Sequence, residues 1–316
     1  MMTRRHALAG LAGGAAALSG SAAVAAPSQV APALPICAFS KHFQWTDVKE
    51  AAALCKEIGY DGLDLTVRAG GHVLPERVAD DLPRAVEIVH KAGLLTPMVT
   101  AGIVDAATPH AEAMLKTLAS LKITRYRWGG FRWDEKKAPD AQMKVIHERT
   151  KGLDELNRAY GMCAMYHTHS GPGQFGNAFW DIYEIARKFK PESISINLDI
   201  GHATVEGGFG AWMSTSRMLL PHTRGIAVKD FYWEKSARGA WAPRWCALGK
   251  GMVNLPKFLG YVKEAGFTGP LQLHMEYPEV GDAHAGKGMT IERSEFLRLM
   301  RTDLAALREA MKATGL

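Results

Sequence analysis

Side chains that could carry chemistry concentrate in four short segments of the second half of the chain. The segments are MYHTHSG with His167 and His169, LDIGH with Asp199 and His202, VKD with Lys229 and Asp230, and LHMEY with Glu276. His167 and His169 are two residues apart, so on an extended segment both side chains project to the same side. Imidazole and carboxylate groups together suit Mn²⁺, Zn²⁺, Fe²⁺ or Co²⁺ better than Ca²⁺. The residue types therefore indicate a site for a divalent metal.

Asp199 and Glu276 each follow a run of apolar residues that is typical of a buried strand. An unpaired carboxylate in such a position carries a desolvation penalty of several kcal/mol, which a divalent cation removes. A single histidine or aspartate at a strand end is more often a hydrogen-bonded structural group. Because such residues recur at the ends of successive strands, a shared functional site is favoured over separate structural roles.

The elements that must position these residues alternate between apolar strand patterns and helical patterns. Strands are predicted over 34–40, 61–67, 95–100, 123–128, 162–167, 193–199, 224–229 and 270–276. Helices are predicted over 46–58, 81–92, 141–160, 177–189, 211–220, 254–265 and 291–313, with a further one starting at Thr108 and Pro109. This alternation predicts an α/β fold, a single (β/α)₈ TIM barrel domain over 34–316. An open doubly wound sheet is the alternative.

The first residues have the pattern of an export signal. Arg4 and Arg5 precede an Ala/Gly/Leu-rich run, and Ala23-Val24-Ala25 offers a cleavage site, so we expect a signal peptide over 1–26 and a linker over 27–33. The segment TRRHAL resembles the bacterial twin-arginine signal, which implies a periplasmic mature protein. An uncleaved membrane anchor is the alternative.

Composition and charge exclude several classes of function. The chain has 316 residues, of which 47% are hydrophobic and 22% charged, so it is typical of a globular protein with a sizeable core. Its formal charge of +6 is small and scattered, which argues against a nucleic-acid-binding protein. Beyond the signal, no segment is long and apolar enough to be expected to span a membrane. Self-association into a homo-oligomer stays open.

Four motifs, LDIGHA, VKDFYW, ALGKGMVNL and LHMEY, resemble those of the sugar phosphate isomerase/epimerase superfamily, whose members have the xylose isomerase-like TIM barrel. The resemblance implies a divalent metal (Mn, Zn, Co or Fe) held by residues at the ends of strands five to eight. By position Asp199 and Glu276 match the family's ligands, and His167 stands where a glutamate is usual. The ligand position of strand seven falls on Ala227, which has no ligand atom. The predicted metal ligands are therefore His167, Asp199 and Glu276.

The resemblance implies an isomerase that acts on a carbohydrate by proton transfer through an enediolate. His169 is the expected proton carrier, because an unperturbed imidazole titrates near neutral pH. Lys229 would neutralise an oxyanion or a phosphate, and His202 would hold the substrate or complete the metal shell. Their structural alternatives are a salt bridge of Lys229 with Asp230 and a supporting hydrogen bond by His202. A 3-keto-glycoside lyase or hydrolase and a non-catalytic sugar-binding protein are the other functions left open.

Several residues nearer the N-terminus are expected to bind the substrate. Arg68 and His72 follow the second predicted strand, and Arg127 and Trp128 end the fourth, so loops over the same mouth would carry them. Aromatic and arginine side chains suit the apolar face and the hydroxyl or acid groups of a sugar. Asp230 is predicted to join them. The Trp- and Arg-rich segment YWEKSARGAWAPRW is expected to form an interface or a lid.

Overall fold

The apolar runs predicted as strands form a closed parallel barrel in the computed structural model, which describes residues 34–316. The barrel strands are β1 (Ile36–Phe39), β2 (Gly62–Val67), β3 (Val99–Ala101), β4 (Arg125–Trp128), β5 (Cys163–His167), β6 (Ile194–Asp199) and β7 (Thr223–Val228), and β10 (Leu271–Leu273) closes the barrel between β7 and β1. The strands β8 (Asp230–Lys235) and β9 (Trp241–Cys246) form a separate antiparallel hairpin. The predicted (β/α)₈ TIM barrel is confirmed, whereas the predicted signal peptide and linker lie outside the described residues.

Helices pack around the outside of the barrel. They are α1 (Val48–Ile58), α2 (Val78–Lys91), α3 (Ala111–Ser120), α4 (Pro139–Tyr160), α5 (Trp180–Ala186), α6 (Ile200–Gly207), α7 (Ala211–Leu219), α8 (Leu255–Glu264) and α9 (Arg293–Thr314). Local sequence sets the ends of several. The Asp47 carboxylate caps α1 by accepting the Glu50 N–H, and Gly59 ends it in the left-handed conformation. Among these helices, none has the length and apolar character needed to cross a membrane.

Two elements and one helix start differ from the sequence prediction. The helix α6 was not predicted, because it continues directly from strand β6. The β8–β9 hairpin was not predicted either, because it lies in the segment that was expected to form a lid or an interface. Helix α3 begins at Ala111 rather than at Thr108. The Thr108 hydroxyl instead accepts the backbone N–H groups of Val104 and Asp105, so it closes the preceding loop.

The inside of the barrel holds a polar layer that joins four strands. Asn197 in β6 donates to Gln272 in β10, and Gln272 donates to Asp64 in β2. Thr100 in β3 donates to the same Asp64 oxygen at 2.7 Å. Burial raises the pKa of Asp64 to about 7. This layer crosses the barrel on side-chain hydrogen bonds and so fixes the positions of the strands that carry the site.

Candidate active site

The ends of β5, β6, β7 and β10 bring three of the predicted residues, and one histidine that was not predicted, together around the buried carboxylate of Asp199. Asp199 ends β6 and caps α6, and its Oδ1 accepts the His202 N–H at 3.0 Å. Its Oδ2 lies 3.7 Å from His167 Nε2 and 3.8 Å from His274 Nδ1. The Lys229 Nζ is 3.3 Å from the same oxygen. Asp199 Oδ2 is therefore the point on which residues from four strands converge.

Several ligand-type atoms of this cluster have no hydrogen-bond partner among residues 34–316. They are Asp199 Oδ2, His167 Nδ1 and both ring nitrogens of His274. Burial holds the pKa of His167 and of His274 well below its usual range, so both rings are neutral at pH 7. Burial raises the pKa of Asp199 to about 6, although Lys229 opposes this. Two neutral imidazoles and one carboxylate, with ligand atoms within 4.8 Å of one another, fit a divalent metal.

Lys229 forms the second part of the cluster. Its ammonium donates to Glu276 Oε2 at 2.7 Å and to His202 Nε2 at 2.7 Å, and it lies 4.1 Å above the ring of Trp245 in β9. The predicted alternative, a rim salt bridge with Asp230, is not what the structure contains. Gly201 permits this arrangement, because a Cβ at that position would lie 2.6 Å from Lys229 Cγ. The glycine of LDIGH is thus explained by a close approach of the lysine chain.

Glu276 is held by two lysines. One oxygen pairs with Lys229 and the other with Lys41 Nζ, at 2.7 Å each. Burial by itself raises the pKa of Glu276, but the ammonium groups of Lys229 and Lys41 outweigh burial and hold it well below the usual range. Glu276 is therefore an ionised carboxylate at neutral pH whose two oxygens already have cationic partners.

His169 and His202 occupy the outer side of the cluster, with their ligand atoms within 4.8 Å of those of His167. Guanidinium and ammonium groups only donate, so His169 Nε2 accepts from Arg127 at 3.1 Å and His202 Nε2 accepts from Lys229. Each ring then carries its proton on Nδ1. Burial, followed by the charge of Arg127, lowers the pKa of His169 to about 3. An imidazole that titrates near neutral pH, as expected from the sequence, is not found at this position.

Residues 52–309 match the family model of the xylose isomerase-like TIM barrel. The chain belongs to this family. No curated protein sequence matches the chain.

Solved structures with the same fold share little sequence with this xylose isomerase-like TIM barrel. A xylose isomerase-like TIM barrel protein from Mycobacterium smegmatis in complex with magnesium aligns with a TM-score of 0.63 at 14% identity, over 89% of this chain and 98% of its own. D-Psicose 3-epimerase with D-tagatose from Clostridium cellulolyticum H10 gives 0.64 at 12%, over 88% and 99%. The 3-keto-D-glucoside 4-epimerase of E. coli gives 0.62 at 14%, over 87% and 99%.

His274 is a candidate metal ligand that the sequence prediction missed. It follows β10, is buried, and stacks against Phe39 with ring centroids 4.7 Å apart. The sequence spacing could have indicated this ligand. His274 and Glu276 are two residues apart in LHMEY, and an extended segment turns both side chains to the same side. Ala227 pairs in register with Asp199 and is fully buried, and it offers no ligand atom in this xylose isomerase-like barrel, as predicted.

Two predicted substrate residues do not reach the mouth. Trp128 is 1% exposed and its indole donates to the Val104 carbonyl at 2.7 Å. It lies in β4 rather than in a loop, and strand alternation turns it outward while Arg127 faces inward. Asp230 is also 1% exposed. Its carboxylate accepts four backbone N–H groups, from Phe231, Gly249, Gly251 and Val253.

The other predicted substrate residues have separate surroundings. His72 hydrogen-bonds through its ring nitrogens to Thr66, Ser40 and the Phe43 carbonyl, which ties it to the loop after β1. Arg68 and Arg127 are half-buried, and their guanidinium groups lie 5.8 and 5.5 Å from the ring centroid of Phe39. These two arginines therefore reach the same side of the mouth, next to the ring that supports His274.

Proposed function

We propose that this protein is a divalent-metal-dependent isomerase that acts on a sugar or a sugar derivative by proton transfer through an enediolate. The observation that carries the proposal is the buried carboxylate of Asp199, one oxygen of which accepts no well-directed hydrogen bond and faces two neutral imidazoles and the Lys229 ammonium at the mouth of the barrel. Lys229 is shared with Glu276 and offsets only part of the desolvation cost of this buried charge, and a bound cation would offset the rest.

His167, Asp199 and His274 would hold the metal, and Glu276, the remaining ligand expected from the sequence, stands beside them. When bound, the metal supplies polarisation of a substrate carbonyl or hydroxyl. The solved structures with this fold include a magnesium complex and sugar epimerases, which supports both the metal and the substrate class.

The surrounding residues would handle the proton. His202 accepts from Lys229 at Nε2 and contacts the Ser170 hydroxyl through Nδ1 at 2.7 Å, so a continuous hydrogen-bonded path leads from Glu276 through Lys229 and His202 to Ser170. The ammonium of Lys229 would stabilise negative charge that develops on the substrate oxygen. His169, being neutral, would act as a base once its Nε2 is released from Arg127.

An isomerase is preferred here to a paired-glutamate epimerase. Epimerases of this type use two glutamates as bases on opposite faces of the substrate, as the family resemblance implies. In this chain the strand-five position is His167, and both oxygens of Glu276 are paired with lysines. One-sided proton transfer requires only one base, so it matches the residues present.

The test combines metal content with turnover. The protein is purified and its metal is measured after supply of Mn²⁺, Zn²⁺ or Co²⁺, for wild type, Asp199→Ala, His274→Ala and the control His90→Ala, which removes an exposed histidine. We expect about one metal in wild type and the control and much less in the two site variants. Solvent-deuterium incorporation into aldoses, ketoses and 3-keto-glycosides then reports proton transfer. Wild type without metal or without exchange would refute the isomerase, and release of an aglycone would assign the lyase instead.

Export by the twin-arginine route to the periplasm is part of the proposal and rests on the N-terminal sequence. The expected mature protein begins near residue 27. N-terminal sequencing of the protein from a periplasmic fraction tests this, and a full-length product retained in the cytoplasm would contradict it.

A further inference from the structure

Two positive side chains in the mouth have no carboxylate partner. Arg68 follows β2 and Arg127 lies in β4, and both approach the Phe39 ring. Arg127 donates one hydrogen bond, to His169 Nε2 at 3.1 Å. Within residues 34–316 neither guanidinium forms a salt bridge, and Arg68 donates no side-chain hydrogen bond. Their N–H groups are therefore available to a group that enters the mouth.

Neither carboxyl group near the two arginines forms a salt bridge with them. Both oxygens of Glu276 are paired with lysines. One oxygen of Asp64 accepts from Thr100 and Gln272, and its other oxygen has no hydrogen-bond partner within residues 34–316. Burial lowers the pKa of Arg127 to about 10, and the charge of Arg68 is the next largest cause, which shows that the two cations repel each other. An arginine pair of this kind is stabilised when an anion lies between or beside its members.

Cationic side chains outnumber carboxyl groups around the whole mouth. Four cationic side chains, Lys41, Arg68, Arg127 and Lys229, face three carboxyl groups, those of Asp64, Asp199 and Glu276. Asp64 has a pKa near 7, so it carries only part of a negative charge at neutral pH. The mouth therefore has an excess of positive charge even before a divalent cation is added, and an anionic substrate would complement it.

We propose that Arg68 and Arg127 bind an anionic group of the sugar substrate, either a carboxylate or a phosphate. This inference rests on the proposed function and specifies its substrate class as a charged sugar. The planar guanidinium group can donate two parallel hydrogen bonds to either oxyanion. Two such groups would also fix the orientation in which the sugar binds. Phe39 contacts both arginines and stacks on His274, so the anion would be held close to the candidate metal ligands.

Binding of the anion would also act on the proposed base. Arg127 donates to His169 Nε2, so an oxyanion that draws the guanidinium toward itself leaves the lone pair of that nitrogen free. Only a substrate that carries the anion would then meet an available base. Arg127 is in this respect a positioning residue for His169 as well as an anion ligand.

The test uses the Mn²⁺-supplied full-length protein and three probes, D-glucuronate, D-glucose 6-phosphate and the neutral D-glucose, in isothermal titration calorimetry. We expect at least one charged sugar to bind about tenfold or more tightly than D-glucose. Arg68→Gln and Arg127→Gln should each weaken charged-sugar binding by about tenfold to a hundredfold, the usual range for a hydrogen bond to a charged group. Arg84→Gln, on the exposed face of α2, should change nothing. The tighter charged probe identifies carboxylate or phosphate.

Equal binding of the three probes, no charged-sugar binding, or an undiminished charged-sugar preference in both arginine variants overturns the inference. The Mn²⁺ affinity of each variant is measured in the same series and should stay unchanged, which shows that the fold and the metal site are intact. Mn²⁺ binding without a preference for charged sugars rejects the anion site and leaves the isomerase proposal standing. A charged-sugar preference that both arginine variants lose, in a protein that binds no metal, confirms the anion site and rejects the metal enzyme.

Discussion

Two buried aspartates at the ends of the neighbouring strands β6 and β7 have opposite surroundings. Asp230 follows β7, and both of its oxygens accept backbone N–H groups, from the hairpin and from the loop 247–254. Asp199 ends β6, and its Oδ2 accepts no well-directed hydrogen bond but faces two imidazoles and an ammonium. Burial alone therefore does not identify a functional carboxylate. What distinguishes the two is whether the chain itself supplies the hydrogen-bond donors.

The surroundings of Asp230 also explain a sequence motif. Gly251 in ALGKGMVNL donates to Asp230, and a Cβ at that position would lie against the same carboxylate and the Phe231 carbonyl. Only glycine lets the loop come close enough for its N–H groups to surround the aspartate. VKD and ALGKGMVNL are thus two halves of one structural contact, which fixes the hairpin that carries Trp245 over Lys229.

The largest effect is expected from Asp230→Ala. Loss of the carboxylate leaves four N–H groups without their acceptor, that of Phe231 buried and the other three partly buried, so the free energy of unfolding should fall by about 3–5 kcal/mol. Urea unfolding followed by circular dichroism measures it. The control Asp282→Ala truncates an exposed aspartate and should change stability by less than about 0.5 kcal/mol. A similarly small loss for Asp230→Ala would remove the distinction between the two carboxylates.

Asp199→Asn should show the reverse pattern. We expect Mn²⁺ affinity to fall at least about 100-fold, because a metal ligand loses its charge. The free energy of unfolding of the metal-free protein should change by less than about 1 kcal/mol, since Oδ2 has no hydrogen bond to lose and Lys229 keeps its closer pairing with Glu276. Calorimetric titration with Mn²⁺ and urea unfolding test both parts, with Asp282→Asn as the control. Unchanged Mn²⁺ affinity would place the metal elsewhere.

A third buried carboxyl group, that of Asp303, has hydrogen-bond donors from the chain and nevertheless a raised pKa. It accepts from the Tyr277 hydroxyl and the Leu248 N–H, and burial raises its pKa from 3.8 to about 6. The folded state therefore keeps this proton at a pH at which the unfolded chain has released it. The stability that Asp303 contributes is present below the unfolded value of 3.8 and is lost as the pH rises through about 6.

Asp303→Asn should remove this pH dependence. Between acidic and neutral pH, the unfolding free energy of wild type should fall by about 3 kcal/mol relative to that of the variant. Urea unfolding of both proteins over this range gives the difference, which cancels the titration of all other groups. A difference that does not vary with pH would contradict the raised pKa.

The smallest effect is expected from Glu276→Gln. Both oxygens of Glu276 are engaged with lysines, so the Mn²⁺ affinity should fall only about tenfold, less than for Asp199→Asn. Calorimetric titration of the two variants under the same conditions compares them directly. A loss equal to that of Asp199→Asn would make Glu276 a full metal ligand, as the sequence predicted.

Most of the fold could be predicted from the sequence because its signals are local. Helical periodicity, the cap at Asp47 and the left-handed glycines at Gly59 and Gly161 each depend on a few neighbouring residues. The hairpin was missed because its strands lie in a segment of mixed polarity whose outer residues are exposed, so alternation gave no clear pattern. Helix α6 was missed because it follows β6 without a connecting loop.

The sequence by itself determined the barrel and the gathering of His167, Asp199, Lys229 and Glu276 at its mouth, because parallel strands in a closed barrel bring their C-terminal ends together. Only the tertiary structure decided which of these groups are free to act. Lys229 meets Glu276 rather than Asp230, His274 joins Asp199, and Arg68 lies near Arg127. These contacts join residues that are far apart in the chain. The hydrogen-bond donors and opposing charges around each group therefore come from other strands and loops, and no local pattern in the sequence records them.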